Sequence, residues 1–365
     1  MSRRTFSSAF TLLEVLVSVS VLTLMMTIIA ELMMRTQDTI TRASSHAREF
    51  QEARRALESI SSSLSQATMD AILAYQRDPG NSTSIVGWER ASDHHFILGP
   101  ASNLVSVDAG AGQAVFFQAP LGSSQDSSLR LLNNLVNCCG FYVQYNNDVD
   151  GRPGFLQDAS AIALNPKRKR FRLMQYTQSA EKSILYAPEI GVPGKNYLGL
   201  NKLTDKKKAL RWFQDDMATA SRPLAENVLA LILVPHAVKV TSGSIETDAA
   251  GYSIAPDPAY QYDSRDFQWN GLTDANKSRR HQLPAMVTVT LIVADERSYD
   301  ALISRLGDGD AAQEAAAEEV RNVFKDKFTS YEDYKADMAS VESSLASLSL
   351  HYKVLSTSVS PRSSK

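Results

Sequence analysis

The sequence predicts an α+β protein: a long N-terminal helix packed on an antiparallel β-sheet head, with helical insertions. Three observations carry this expectation. No Gly or Pro interrupts residues 10–69, where the apolar side chains form first a continuous run and then a stripe. From about residue 70 the pattern changes to short β-rich runs separated by Gly, Pro, Asn and Asp. Two helix-patterned segments then stand between the last two runs. At 365 residues and 44% hydrophobic the chain can bury a substantial core, and it need not be several domains.

Residues 1–9, "MSRRTFSSA", form a short leader whose charges are Arg3 and Arg4. The following "FTLLEVLVSVSVLTLMMTIIA" has about the 20 residues needed to cross a hydrocarbon core. It is too long for a cleaved secretory signal, whose apolar core is about 7–15 residues. A transmembrane helix over 10–34 follows, with a cytoplasmic N-terminus by the positive-inside rule and everything beyond it exported. Glu14 is the sole charge between Phe10 and Ala30. A carboxylate in such a place costs roughly 2.5–3.5 kcal/mol on insertion scales, so it calls for a role.

Over 35–69 the helix continues. Ile40, Ala43, Ala47, Phe50, Ala53, Leu57, Ile60, Leu64 and Ala67 recur at three- and four-residue steps, with Arg42, Arg48, Glu52, Arg55 and Glu58 on other faces. This half should pack on the head, and the frequent Ala argues against a coiled-coil stalk.

The head, 70–365, offers strand candidates at 95–99, 114–120, 135–145, 170–177, 227–235, 286–295 and 350–359. "NVLALILV" and "MVTVTLIV" are rich enough in aliphatic and β-branched residues to be central strands. Residues 204–220 read as one helix capped by Thr204, and two more helices follow the strand at 286–295.

Leader, "FTLLE" and apolar helix together resemble the N-terminus of type IV pilins and type II secretion pseudopilins. The resemblance implies a prepilin peptidase that cuts between Ala9 and Phe10 and methylates the new amine, with Glu14 as the carboxylate that docks the subunit into a filament. The family usually has Gly before the cut, where this chain has Ala9. Size and the segment "ENVLALILVP" resemble the larger minor pseudopilins. The overall layout is more loosely similar to the prepilin-like proteins of a multi-gene cassette described in verrucomicrobial genomes. The implied fold is pilin-like. The implied function is a minor pseudopilin or pilin subunit in the inner membrane, its head periplasmic or extracellular. Its partners would be other pilin-like subunits, met through the N-terminal helix. Two alternatives stand beside it: a DNA-binding minor pilin of an uptake apparatus, and a signal-anchored extracytoplasmic domain outside any filament.

Other chemistry is sparse. No nucleophile elbow, H-E-x-x-H, Walker loop or Rossmann glycine pattern occurs, so no enzyme is expected. The two cysteines, Cys138 and Cys139, are adjacent; on a strand they point to opposite faces and read as small buried residues. Asp93 and His95 share a strand face, with His94 on the other, but two ligands fall short of a zinc site. Asn146, Asp148 and Asp150 lie at alternate positions before Gly151, like the start of a calcium loop. Gln157 stands where the closing Glu belongs, so an Asx-rich turn is the plainer reading and no cofactor beyond calcium is considered. Lys167, Arg168, Lys169, Arg170 and Arg172, interleaved with Phe171 and Tyr176, have the composition of a nucleic-acid patch. The net charge of −2 favours instead an edge strand guarded by its charges, with Phe171 and Leu173 turned inward.

Overall fold

The computed structural model describes residues 12–78, 80–129, 131–183, 206–238, 240–241, 244–245, 254–271 and 273–362. The protein is mixed α+β and divides into two compact units, Met1–Glu49 and Phe50–Lys365. Helix α1 (Leu12–Ser65) supplies the described part of the first unit and the opening of the second.

In the first unit Leu12–Gln37 is long and apolar enough to cross a membrane, and its side chains are exposed. Hydroxyls along it return to carbonyls one turn back: Ser18 Oγ donates to the Glu14 oxygen at 2.6 Å and Thr27 Oγ1 to Leu24 at 2.8 Å. Such internal bonds let Ser and Thr sit in an apolar helix without an unmet donor. Glu31 pairs with Arg35 at 2.6 Å.

The second unit begins with the last turns of α1. Ala53, Ala56, Leu57, Ile60 and Leu64 are buried in its core, as is Ala67 beyond the helix end. Among the described residues of the predicted stripe, Ala53, Leu57, Ile60, Leu64 and Ala67 are buried. Ile40 is 63% exposed, and the side chains of Ala43 and Ala47 lie outside the described residues. Phe50 is half-buried beneath Lys353, whose ammonium stands 4.8 Å from its ring centre.

Chain order then runs β1 (Ile72–Asp78), β2 (Asn81–Ala91), β3 (Ile97–Pro100), α2 (Ala101–Leu104), β4 (Ala111–Pro120), β5 (Val136–Asn147), α3 (Ala159–Leu164) and β6 (Lys169–Gln178). After a stretch outside the described residues come α4 (Lys206–Ala209), α5 (Arg211–Gln214), α6 (Met217–Ala220), β7 (Ser221–Glu226) and β8 (Val228–Val238). Short pieces follow: β9 (Val240–Thr241), β10 (Ser244–Ile245), β11 (Ile254–Pro256), β12 (Tyr262–Asp263), α7 (Phe267–Asn270) and α8 (Asp274–Arg279). The chain closes with β13 (Met286–Ala294), α9 (Glu296–Leu306), α10 (Gly309–Phe324), α11 (Tyr334–Ser347) and β14 (Tyr352–Val359).

The main sheet has the order β14-β13-β8-β4-β5-β6-β7, with β3 beside β4, β12 beside β3 and β11 beside β8. It is a curled, mixed sheet, which corrects the expectation of an antiparallel one: β4 and β8 run parallel at Ala111–Ala230 and Gly112–Leu231. Gly112 makes that seam possible. Its φ is +95°, and a Cβ there would stand 2.0 Å from the Leu231 carbonyl oxygen. Gly140 serves a second close approach, since a Cβ on it would meet the Phe116 ring at 2.2 Å. Gln113 ties the region together, accepting from the Leu233 N–H at 3.0 Å and donating to the Phe328 carbonyl at 3.3 Å.

Alternation splits β4 between two cores. Val115, Phe117 and Ala119 join α1, β8, β13 and helices α9–α11. Ala114 and Phe116 join a second cluster with Tyr142, Tyr176, Leu210, Trp212 and Phe213. The helix predicted over 204–220 is instead three short helices, α4, α5 and α6, which bury Leu210, Trp212, Phe213 and Met217. Thr204 lies outside the described residues. The strand at 170–177 is internal: β6 pairs with β7 as well as β5, so the expected edge position is corrected.

Candidate functional site

Of the residues expected to govern processing and assembly, Ala9 and Phe10 lie outside the described residues. Glu14 occupies the first turn of α1 within the exposed apolar face formed by Leu13, Val15, Leu16 and Val17. Between Glu14 and Glu31 this helix carries no other charge, so whatever packs on this face meets one carboxylate in an otherwise apolar surface.

The basic strand is placed differently from a nucleic-acid patch. Arg170 and Arg172 are 4% and 2% exposed. Arg172 donates from Nε to Glu226 at 2.9 Å and from Nη1 to the backbone and side-chain oxygens of Asn146, each at 2.7 Å. Arg170 pairs with Asp300 and lies 5.1 Å from the Tyr299 ring centre. Arg168 reaches Glu296 at 2.5 Å and Lys169 reaches Glu314 at 2.7 Å, the latter bond pushing the Lys169 ammonium up from its ordinary pKa. Phe171 and Tyr176 are buried, and the Tyr176 hydroxyl donates to the Trp212 carbonyl at 3.1 Å, so neither ring offers a stacking face. Phosphate binding needs cations turned to solvent. Arg168, Lys169 and Arg170 reach α9 and α10 and Arg172 reaches Glu226 on β7, while Lys167 and Arg168 remain exposed at the start of the strand.

The acidic turn is closed by arginine. Asp148 accepts from Arg152 Nε and Nη2 at 3.0 and 2.8 Å through one oxygen, and from the Arg168 N–H at 2.9 Å through the other. Asn146 Oδ1 is taken by Arg172. Asn147 Oδ1 accepts from the Val149 N–H at 2.9 Å, the contact of an Asx turn, and the Asp150 side chain lies outside the described residues.

His94 and His95 are buried and hydrogen-bonded within the protein. Trp212 Nε1 donates to His95 Nδ1 at 3.3 Å, which leaves the proton on Nε2 to be donated to Asp263 at 2.7 Å. Both ring nitrogens of His95 are thereby engaged, leaving no lone pair for a metal. His94 Nδ1 stands 3.1 Å from the Thr68 carbonyl. The Asp93 carbonyl, with those of Ser92 and His94, receives the buried guanidinium of Arg265. Burial pulls Arg265 down to about 10 and His281 down to about 3, and lowers His94 and His95 as well. Among the described residues no group of three or more His, Cys, Asp or Glu is placed to hold a metal. Asp263 and Trp212 were not visible as partners of His95 in the sequence, because the first is brought there by the β3–β12 pairing and the second by α5, both more than a hundred residues along the chain.

Cys138 and Cys139 are free and buried on opposite faces of β5, one in each core cluster. Burial pushes their thiols up to about 11 and about 12, so both stay protonated and unreactive at neutral pH.

No protein-family model, curated protein or solved structure matches this chain.

Proposed function

We propose that this chain is a minor pseudopilin or minor pilin, a structural subunit of a pilin-like filament anchored in the inner membrane through its N-terminal helix. The observation that carries the reading is α1 itself: a span-length apolar face with one carboxylate, Glu14, continuing as an unbroken helix into the core of the second unit at Ala53–Leu64. A plain signal anchor needs neither a carboxylate in its apolar run nor a helix shared with the domain it tethers. In a filament subunit both have work: the carboxylate selects a neighbour, and the shared helix carries force and register to the head. The head, of mixed α+β architecture, would present its surface to secreted substrate or to other subunits. Its helical insertions favour a place at or near the tip, where bulk does not crowd a helical shaft.

Processing tests the reading. In its native host the membrane-extracted protein should begin at Phe10 with a methylated amine, read by intact mass and N-terminal analysis. A mature chain retaining Met1 to Ala9 would leave only the anchored-domain alternative.

A further inference from the structure

Where β8 ends, the head holds a cavity of about 300 Å³ that none of the expected site residues lines. Its apolar walls come from Val238 of β8, Ile254 of β11, the Tyr262 ring of β12 and Leu283. Three larger polar side chains reach it from separate parts of the chain: Arg90 at the base of hairpin β1–β2, Arg279 at the end of α8, and Gln282 beyond it. Ser278 adds a hydroxyl. Small-molecule sites range over ~300–1,000 Å³ and have this make-up, mostly apolar with a few convergent polar groups. Ile254 is 47% exposed, so the cavity opens to solvent past that side chain.

The larger polar groups present donors. A guanidinium has five N–H groups, and Arg279 places one Nη2 hydrogen on Asp257 and one Nη1 hydrogen on the Gln261 carbonyl at 3.3 Å. Its side chain stays 20% exposed. Gln282 Oε1 accepts from Arg90 Nη1 at 2.5 Å, which leaves the amide NH2 as the end Gln282 can offer a ligand. Both guanidiniums act on one ring. Arg279 Cζ stands 5.4 Å from the centre of Tyr262, and burial pushes the Tyr262 hydroxyl up while the Arg279 and Arg90 charges oppose it. That hydroxyl is committed to the Gln282 carbonyl at 3.1 Å. Among the described residues no carboxylate lines the cavity; Asp257 and Glu89, the partners of Arg279 and Arg280, are not part of its lining.

Apolar walls that include two guanidiniums and no acid select a ligand apolar at one end and anionic at the other. A planar carboxylate matches the guanidinium fork. A neutral amide of the same shape would set its own N–H groups against these donors, and a cation would meet two like charges. We propose that this cavity binds a carboxylate on a short aliphatic body, with Arg90, Arg279 and the Gln282 amide on the carboxylate and Val238, Ile254, Tyr262 and Leu283 around the aliphatic part. The same chemistry is offered by a free branched-chain acid and by the last residue of a peptide. The site lies wholly in the second unit and does not depend on what α1 does in a membrane.

Equilibrium dialysis of the full chain in detergent tests this, with uptake by detergent alone subtracted. The probes are radiolabelled isocaproate, isocaproamide, and acetyl-triglycyl-leucine with a free or an amidated end. At pH 7 isocaproate should bind at least tenfold more tightly than isocaproamide. Peptide acid bound as tightly as isocaproate assigns the site to chain ends, and peptide acid excluded while isocaproate binds assigns it to free acids. Arg90→Gln should weaken isocaproate at least tenfold, to the level of the amide. Ala285→Phe, which places a ring among the cavity walls, should remove binding. Thermal melts of both variants report folding separately, and the comparison of acid with amide needs no variant. Acid and amide bound alike, no probe bound at tens of millimolar, or binding untouched by both folded variants would each overturn the proposal. The readout needs no processing and no filament, so its failure is separable from failure of the filament reading.

Discussion

Arg172 on β6 and Glu226 on β7 face each other across one rung of the sheet, Nε to Oε1 at 2.9 Å. The Glu226 N–H in turn donates to Glu52 on α1 at 3.2 Å, so one arginine closes a chain of contacts from sheet to helix. Replacing Arg172 with Ala would strand the Asn146 oxygens that its Nη1 now satisfies, at a cost of roughly 1–3 kcal/mol. Thermal melts should show this loss. Mobility shifts with single-stranded DNA at low salt should show no binding that depends on Arg170 or Arg172. Binding that falls steeply with salt and vanishes in both variants would restore the uptake reading.

Glu52 carries the opposite expectation. Burial is the largest cause pushing its carboxyl above the ordinary range; the Glu226 N–H opposes it, and the Glu226 and Glu296 charges add to it. A carboxyl whose folded pKa is raised binds its proton more tightly in the folded state. Its stabilising share is therefore present at low pH and is lost as pH rises from the unfolded value of about 4.5 through the raised one. Glu52→Gln keeps an acceptor for the Glu226 N–H and removes the charge. At pH 7 its melting temperature should equal or exceed that of the unaltered protein, and the gap should close below pH 4. A large loss at pH 7 would show that the carboxylate charge is needed.

The buried imidazoles set the acid limit of the head. Burial lowers His94, His95 and His281, with Arg265 adding to the effect on each and Asp263 opposing it at His95. A histidine lowered in the folded state is protonated first in the unfolded chain. Stability should therefore fall as pH drops below about 6.5, and for His281 it should keep falling toward its folded value of about 3. Melting temperatures between pH 7 and pH 4 should decline, and His281→Gln should flatten that slope. An unchanged slope in this variant would place the acid sensitivity elsewhere.

Much of the framework was legible because its signals are local. Runs such as "VNCCGFYVQY" and "VLALILV" alternate or saturate with apolar residues and became β5 and β8. The Gly- and Pro-free stretch became α1. What failed depended on distant partners. The parallel β4–β8 seam rests on Gly112 meeting Leu231, more than a hundred residues away, and no local pattern announces it. The hairpin was missed because β2 is largely polar and its apolar residues stay in water, so it lacks the buried-face pattern by which strands are read. Helix α9 did carry a local mark, Asp295 capping the Ser298 N–H at 3.0 Å, but it follows β13 without a spacer. The charged strand misled for a complementary reason. Charge usually means solvent, and here Asp300 and Glu226 arrive from distant elements to pair with the buried Arg170 and Arg172.

The change of role along α1 makes a paired prediction. Ile60 is fully buried and Leu57 nearly so, while Ile40 is 63% exposed. Ile60→Ala and Leu57→Ala should each destabilise the head by roughly 2–5 kcal/mol. Ile40→Ala should leave its melting temperature unchanged. Equal effects at Ile40 and Ile60 would mean that the packing face starts a full three turns earlier than the core contacts place it.

Glu14 decides the function. On the filament reading, removal of residues 1–9 frees an ammonium at Phe10, within reach of a carboxylate near the N-terminus of a neighbouring subunit. In a low dielectric their attraction is far stronger than in water, although desolvation offsets much of it, so the pair serves register more than net stability. The next carboxylate along the helix, Glu31, cannot substitute: it lies more than four turns away and is already paired with Arg35 at 2.6 Å. Glu14→Leu should therefore leave membrane insertion, leader removal and the melting temperature of the head intact, and insertion should become easier by up to the roughly 2.5–3.5 kcal/mol that a buried acid costs. Incorporation into sheared filaments, measured against the unaltered chain in the same cells, should fall by an order of magnitude or more. Glu14→Asp keeps the charge but shortens its reach, and should fall between the two. If Glu14→Leu enters filaments normally, the carboxylate is not an assembly device, and the anchored-domain alternative becomes the better account of α1.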